Sequence, residues 1–309
     1  MKELVSVIIT TYKRADLLPR AVHSVLNQTY SNVEVIIVDD NTPDSEYRKT
    51  TEAVVNEQFG ADPRVVYCKM EKNSGSCAAR NVGVRNAKGV YLNFLDDDDE
   101  LLPEKIEKQV KVFEESKDKE LSVVGCFAEI LDGNNNILNI EKSEYEGDVF
   151  FNQLCQNLTT TSLALIRKDY YIESGGFEKM YSSQEHWMFA KIYAIHPNYK
   201  YVPEVLVRIY HHEGERISTN PNKPLGAIDL YNKIQSFLPR FNAKQVRIIN
   251  NDLLANIVDA FLNQNRRIEA WPYLIKKIKC TGLFSIDNMK YIVRYILGVK
   301  LYGRIIHRK

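Results

Sequence analysis

Val90–Leu95, VYLNFL, runs straight into Asp96-Asp97-Asp98-Asp99. A short apolar run rich in β-branched and aromatic residues reads as a buried strand. Four adjacent carboxylates repel one another, so a fold that gathers them needs positive charge nearby. Hard oxygen ligands of this kind suit Mg or Mn. A divalent ion held here could bridge a diphosphate and stabilise it as a leaving group. The plainer reading of the same run is a solvated acidic loop, or a cap for the helix expected beyond Pro103. An EF-hand does not fit. Asp96, Asp98, Glu100 and Glu107 match its ligand spacing, but Leu101 and Pro103 replace the turn residues and a strand precedes the run.

Upstream, the same punctuation repeats. Val5–Thr10 (VSVIIT) and Val33–Val38 (VEVIIV) are β-branched runs, the second ending in Asp39-Asp40, and Val65–Met70 is a third. Between the first two, Leu17, Leu18, Ala21, Val22, Val25 and Leu26 recur at helical spacing. Ser74-Gly75-Ser76 opens a helix running to about Ala87, with Arg80 and Asn81 early on it. Strands alternating with helices imply an α/β domain with a largely parallel sheet. Ligands bind at the carboxyl ends of such strands, where both acidic clusters fall. Asp39 and Asp40 could accept hydrogen bonds from a base or ribose, although Asp-Asp-Asn is also ordinary turn chemistry. Arg80 could pair with a phosphate or with the aspartate run.

Downstream, Leu121–Ile140 reads as a hairpin turning at Gly133-Asn134. Gln184–Ala194 is helical and Tyr201–Ile209 is a last strand. Asn220-Pro221-Asn222-Lys223-Pro224 marks a boundary, giving an α/β domain over 1–220 and a helical, basic subdomain over 221–309. From Asn265 to Lys309 there are eleven Lys/Arg and two acids, Glu269 and Asp287, in a chain whose net charge is only +1. These basic residues pack as a helical subdomain or face anionic lipid head groups, two compatible readings. The overall charge balance gives no sign of a nucleic-acid binder. Five scattered cysteines with no CxxC pair suggest neither a zinc ribbon nor a disulfide framework and fit a reducing compartment. No run reaches the roughly 18 apolar residues of a membrane span. The expected location is cytoplasmic, with peripheral contact at the inner face of the plasma membrane admitted by the basic C-terminus. Homo-oligomer formation is likewise admitted.

Other nucleotide folds are excluded. No glycine occurs in Thr10-Thr11-Tyr12-Lys13-Arg14, so the dinucleotide fingerprint GxGxxG is missing after the first strand, and GxxxxGK[ST] is absent from the chain. A nucleotidyltransferase should carry a Gly-rich basic loop early on, and none is present.

Six ordered segments carry a resemblance: VSVIITTYKR at Val5–Arg14, VEVIIVDDNTPD at Val33–Asp44, NSGSCAARNVG at Asn73–Gly83, LNFLDDDDELLP at Leu92–Pro103, SGGFE at Ser174–Glu178 and QEHW at Gln184–Trp187. In order and spacing, over roughly residues 4 to 220, the chain resembles the inverting glycosyltransferases of family 2. The resemblance implies the GT-A fold: a Rossmann-like mixed sheet flanked by helices, as in nucleotide-diphospho-sugar transferases, followed here by the C-terminal helices. It implies transfer of a sugar from a nucleotide-sugar donor to the hydroxyl of a saccharide or lipid-linked saccharide, with Mn or Mg as cofactor, in bacterial cell-surface polysaccharide synthesis. UDP is the implied nucleotide, with dTDP and GDP as alternatives. Thr10, Tyr12, Arg14, Asp39, Asp40, Arg80, Asp96 and Asp97 would serve the donor, joined by Arg216. Asp98 and His212 would be metal ligands. Gly175, Gly176, Phe177 and Trp187 would flank the acceptor, although Trp187 reads equally as core. Glu185 or His186 would be the catalytic base. The family often shows Glu-Asp where this chain has Glu185-His186, and Glu185 is preferred. The alternative is a catalytically degenerate sugar-nucleotide-binding or scaffold protein, supported only by His186. The intact aspartate run argues against it, since a dead site has no reason to keep costly clustered charge.

Overall fold

The computed structural model describes residues 2–211, 221–282, 285–299 and 302. His212 and Arg216, expected to serve the metal and donor, lie outside the described residues, as do Lys300, Arg304 and Arg308 of the basic tail. The chain divides into two compact units. The first comprises the described residues of Met1–Phe150, Leu158–Lys179 and Met188–Glu213. The second holds Phe151–Asn157, Met180–Trp187 and the described residues beyond 220. The division is not one cut: two short segments from within the sheet-forming region group with the C-terminal helices.

The first unit is built on strands β1 (Val5–Thr11), β2 (Val33–Asp39), β3 (Val65–Lys69), β4 (Tyr91–Asp96), β5 (Glu100–Leu101), β6 (Leu121–Leu131), β7 (Ile137–Glu141), β8 (Gly147–Asp148), β9 (Leu165–Arg167) and β10 (Asn198–Tyr210). Helices α1 (Leu18–Leu26), α2 (Glu46–Phe59), α3 (Ser76–Asn86) and α4 (Lys105–Glu115) alternate with them. Further along comes α6 (Lys168–Glu173), while α5 (Phe150–Cys155) and α7 (Gln184–Tyr193) are each divided between the two units. The strand order is β3-β2-β1-β4-β9-β6-β10-β5, with β7 paired to β6 and β8 to β10. β1 is parallel to β2 and β4, and β2 to β3. The sheet becomes mixed at β9, which runs antiparallel to β4 and β6. Periodicity reports which face is buried, not strand direction, so the mixture was not readable in the apolar runs. The hairpin expected over Leu121–Ile140 is β6–β7, turning where Asp132 accepts the Asn134 and Asn136 amides.

Every residue of β2 is buried, and all of β1 but Thr10. On one face Val5, Val7, Ile9, Val33, Val35 and Ile37 join Leu18, Val22 and Val25 of α1 in one core. Asn93 sits fully buried in the middle of β4. Its Nδ2 donates to the carbonyls of Ala164, Ser162 and Thr161, satisfying backbone acceptors that an apolar residue would leave unpaired. Gln109 on α4 does the same for Val124 and Leu163.

The second unit is helical beyond 220: α8 (Lys223–Ile234), a 3₁₀ turn over Gln235–Arg240, α9 (Ala243–Asn263), α10 (Arg267–Thr281) and α11 (Ile286–Leu297). Asn242 and Gln245 close a reciprocal capping box at the start of α9. Leu254, Ile257, Val258, Phe261, Ala270 and Leu274 form the core of this unit. No helix among the described residues is long and apolar enough to cross a membrane.

Candidate active site

Strand register sets the site. Thr10 pairs with Asp96 and Thr11 with Asp39, so β1, β2 and β4 deliver their polar ends to one edge of the sheet. Beyond β4 the chain turns at once, and the run of aspartates is divided between solvent and interior. One carboxylate oxygen each from Asp96, Asp98 and Asp99 lie within 4.8 Å of one another. Asp97 and Asp99 are buried, whereas Asp96 is about half exposed. Asp99 accepts from Ser162 Oγ at 3.2 Å and from the Tyr210 amide at 3.3 Å. Burial, reinforced by Asp96 and Asp98, holds the Asp99 carboxyl well above the usual carboxylate range. Burial pushes Asp97 up to about 7.

Arginines bracket this cluster. Arg14 Nη1 lies 2.6 Å from Asp98 Oδ2 and 3.3 Å from Asp97 Oδ1. Arg80 Nη2 lies 2.8 Å from Asp96 Oδ1. Arg20, which the sequence reading did not single out, donates to the Asp98 carbonyl and stacks on the Tyr210 ring at 3.7 Å. Nothing in the periodicity of α1 marks Arg20, because its role depends on a partner 78 residues away. Asp99 was equally hidden within its run, since side-chain alternation ends where the strand turns. The three-carboxylate donor set fits a hard divalent cation.

The β2 end is a rigid support. Asp39 is fully buried, accepting from Tyr67 Oη at 2.6 Å and the Asn41 amide at 2.8 Å, with Arg48 Nε at 3.1 Å. Its carboxylate therefore organises the loop, buried among these partners. Asp40 accepts the Ser74 and Gly75 amides, each at 2.8 Å, satisfying donors at the mouth of α3. Gly75 holds φ +83°, a left-handed conformation that a Cβ would strain. Burial raises the Asp40 carboxyl, opposed by those two amides. Tyr12 is exposed, and Lys13 Nζ lies 4.9 Å from its ring centre and 5.2 Å from that of Tyr47.

The Ser174–Glu178 turn supports Arg80. Phe177 is buried, edge-on to Phe94 at 5.4 Å, and the Arg80 guanidinium lies 5.1 Å from its ring centre. Asn81 Nδ2 donates to the Phe177 carbonyl at 2.8 Å, and the Phe177 amide donates to Asn81 Oδ1. Gly176, at φ +63°, would place a Cβ 2.9 Å from Tyr171 and 3.0 Å from Asn81 Oδ1. Gly175, at φ +82°, would place a Cβ 3.9 Å from Lys191 Nζ, an ordinary contact. Phe177 is thus a support for Arg80, since a ring this buried offers an acceptor no stacking face.

In the second unit, Glu185 lies in the first turn of α7 and is partly buried. His186 is buried, with its Nε2 on the Gln153 carbonyl, while Gln153 Nε2 donates to the His186 carbonyl at 3.1 Å. Burial pushes the imidazole down to about 4, only partly opposed by that hydrogen bond. Trp187 is buried and packs on Phe237 at 5.6 Å, which makes it core.

The family described as Glycosyl transferase family 2 matches residues 6–174. An uncharacterized glycosyltransferase of Haemophilus influenzae is 30% identical over 293 residues, covering 92% of this chain and 94% of that one. An uncharacterized glycosyltransferase of Methanocaldococcus jannaschii is 37% identical over 144 residues, 46% of this chain and 48% of that one. Among solved structures, S. aureus TarS in complex with UDP-GlcNAc superposes with a TM-score of 0.59 at 16% identity, over 89% of this chain and 91% of that one. A mannosyltransferase of Pyrobaculum calidifontis in complex with GDP-Man and Mn2+ gives 0.57 at 16% identity, over 96% and 88%.

Proposed function

Because the chain belongs to glycosyltransferase family 2 and has the GT-A fold, we propose that it moves a sugar from a nucleotide-diphosphate donor to an acceptor hydroxyl, with divalent metal and inversion of configuration. The observation that carries this reading is the convergence of Asp96, Asp98 and Asp99 within 4.8 Å, bracketed by Arg14 and Arg80, at the carboxyl ends of β1 and β4. Asp96 and Asp98, with Asp99 behind them, would hold Mn or Mg. When bound, such an ion supplies positive charge to a leaving diphosphate. Arg14 and Arg80 offer guanidinium groups to the same phosphates. Thr10, Tyr12 and the Asp40 loop border the nucleotide. Glu185 takes the proton of the acceptor hydroxyl. His186 is a poor base by comparison, since its ring is enclosed and already bonded to Gln153.

A UDP-sugar is the proposed donor, and TarS was solved with UDP-GlcNAc. GDP-sugars are the main rival, as the Pyrobaculum enzyme was solved with GDP-Man. Cell-surface polysaccharide is the proposed setting. An Escherichia coli relative named for colanic acid biosynthesis is 41% identical over 103 residues, 33% of this chain and 35% of that one. Thermal-shift screening of UDP-, GDP- and dTDP-sugars with and without Mn tests the reading, since a true donor stabilises the fold by mass action. A metal-dependent shift with one nucleotide class, followed by donor turnover, is expected. Absence of any nucleotide-dependent shift would overturn it.

A further inference from the structure

A helix on the surface of a globular unit needs one apolar stripe to pack. Helix α11 has two. Tyr291 and Tyr295 pack against the core of the helical unit, and on that side Asn288 is buried, bonded to Lys277 Nζ and the Gly282 carbonyl. About half a turn away, Ile286, Met289, Val293 and Ile296 are 79, 45, 39 and 65% exposed. Their spacing of 3, 4 and 3 residues keeps them on one face. Folding of this unit does not require that second stripe, and exposed contiguous apolar surface of this kind marks an interaction site.

Charge selects the partner. The two acids between Asn265 and Lys309 are both engaged within the unit, Glu269 with Arg266 and Asp287 with Lys277. Among the described residues Lys276, Lys279 and Lys290 are exposed, and Lys290 lines a shallow groove beside Ile286, Met289 and Val293. An apolar stripe beside lysines is the pattern of a helix that lies in the plane of an anionic bilayer, the apolar face at the acyl boundary and the cations at the head groups. A polyanion such as RNA would use the cations but gains nothing from Ile286, Val293 and Ile296. We propose that α11 is an in-plane anchor that docks the helical unit on an anionic lipid surface.

The test uses the full chain with vesicles of phosphatidylcholine alone or with one-third phosphatidylglycerol. Sedimentation with the anionic vesicles is expected, with little on phosphatidylcholine, and binding should weaken several-fold as salt rises. Met289→Gln with Val293→Gln should weaken vesicle binding about tenfold while leaving circular dichroism and gel-filtration behaviour unchanged. Lys276→Gln, Lys279→Gln and Lys290→Gln together should weaken it to a similar degree. Ile296→Gln alone is a milder check, should the double variant fold poorly. The proposal is overturned by no binding of the wild type to anionic vesicles, by binding indifferent to the apolar substitutions, or by a dimer that the apolar substitutions dissociate without any vesicle binding. Tighter retention on single-stranded RNA than on vesicles, unaffected by the apolar changes, would also overturn it.

Discussion

Arg80 Nη2 stands 2.8 Å from Asp96 Oδ1 while its guanidinium lies over the buried ring of Phe177. The pair joins α3 to the end of β4, and the ring fixes the direction in which the cation points. Cation–π contact and a charge-assisted hydrogen bond both favour arginine over lysine at such a place.

Arg80→Ala is expected to lower donor turnover by roughly 10- to 100-fold, the worth of a lost hydrogen bond to a charged group. Arg80→Lys should recover only part of it. Initial rates of donor consumption across the three proteins measure this. Equal rates for wild type and Arg80→Ala would remove Arg80 from the donor site.

Asp98→Ala should abolish transfer and the Mn-dependent thermal shift while the fold persists, because removing one of several repelling carboxylates need not destabilise. Calorimetry with Mn, paired with an activity assay in EDTA, checks both halves. Wild-type turnover by the variant in EDTA would refute metal dependence.

Glu185→Gln preserves shape and removes basicity. Turnover should fall by about 10² or more, with donor affinity near that of the wild type. His186→Gln should affect turnover much less. A dead His186 variant beside a normal Glu185 variant would reverse the assignment.

His186 also predicts a pH dependence of stability. Its folded value, about 4, lies below the ordinary 6.5. Between those values the unfolded chain binds more protons, so the contribution is full above about pH 6.5 and is lost as pH falls toward 4. The loss should reach roughly 3 kcal/mol, given about 1.4 kcal/mol per pH unit. Urea unfolding of wild type and His186→Asn at several pH values measures it. Parallel curves for the two proteins would exclude His186 as the cause.

Sequence reading reached the strands and helices of the first hundred residues because they are buried on one regular pattern after another. It also located the edge of the sheet where Asp40, Arg80, Asp96 and Asp98 gather. It could not sort the carboxylates among themselves. Asp39 and Asp40 are neighbours in a loop, yet one is sealed against Arg48 and Tyr67 while the other caps α3. That difference comes from tertiary partners, not from local pattern. Phe177 and Trp187 show the same limit: large aromatic residues beside a functional motif can serve as walls or as platforms, and only their burial decides. The direction of the short returning strand β9 depends on which neighbours it joins, which no local pattern records.

The pairing of Thr10 with Asp96 makes the reach of the aspartates a stepwise quantity. Side chains alternate faces at every residue along β4, and each residue advances the chain by about 3.3 Å. Deleting one residue from Tyr91–Leu95 would turn Asn93 or its replacement toward the wrong layer, orphaning the carbonyls it now satisfies. Deleting two would restore the facing but draw the carboxylates back by nearly 7 Å, roughly two rises of a strand. Length changes that leave this chemistry intact must therefore fall in the loops, and the distance from core to carboxylate is a fixed gauge that the strand itself imposes.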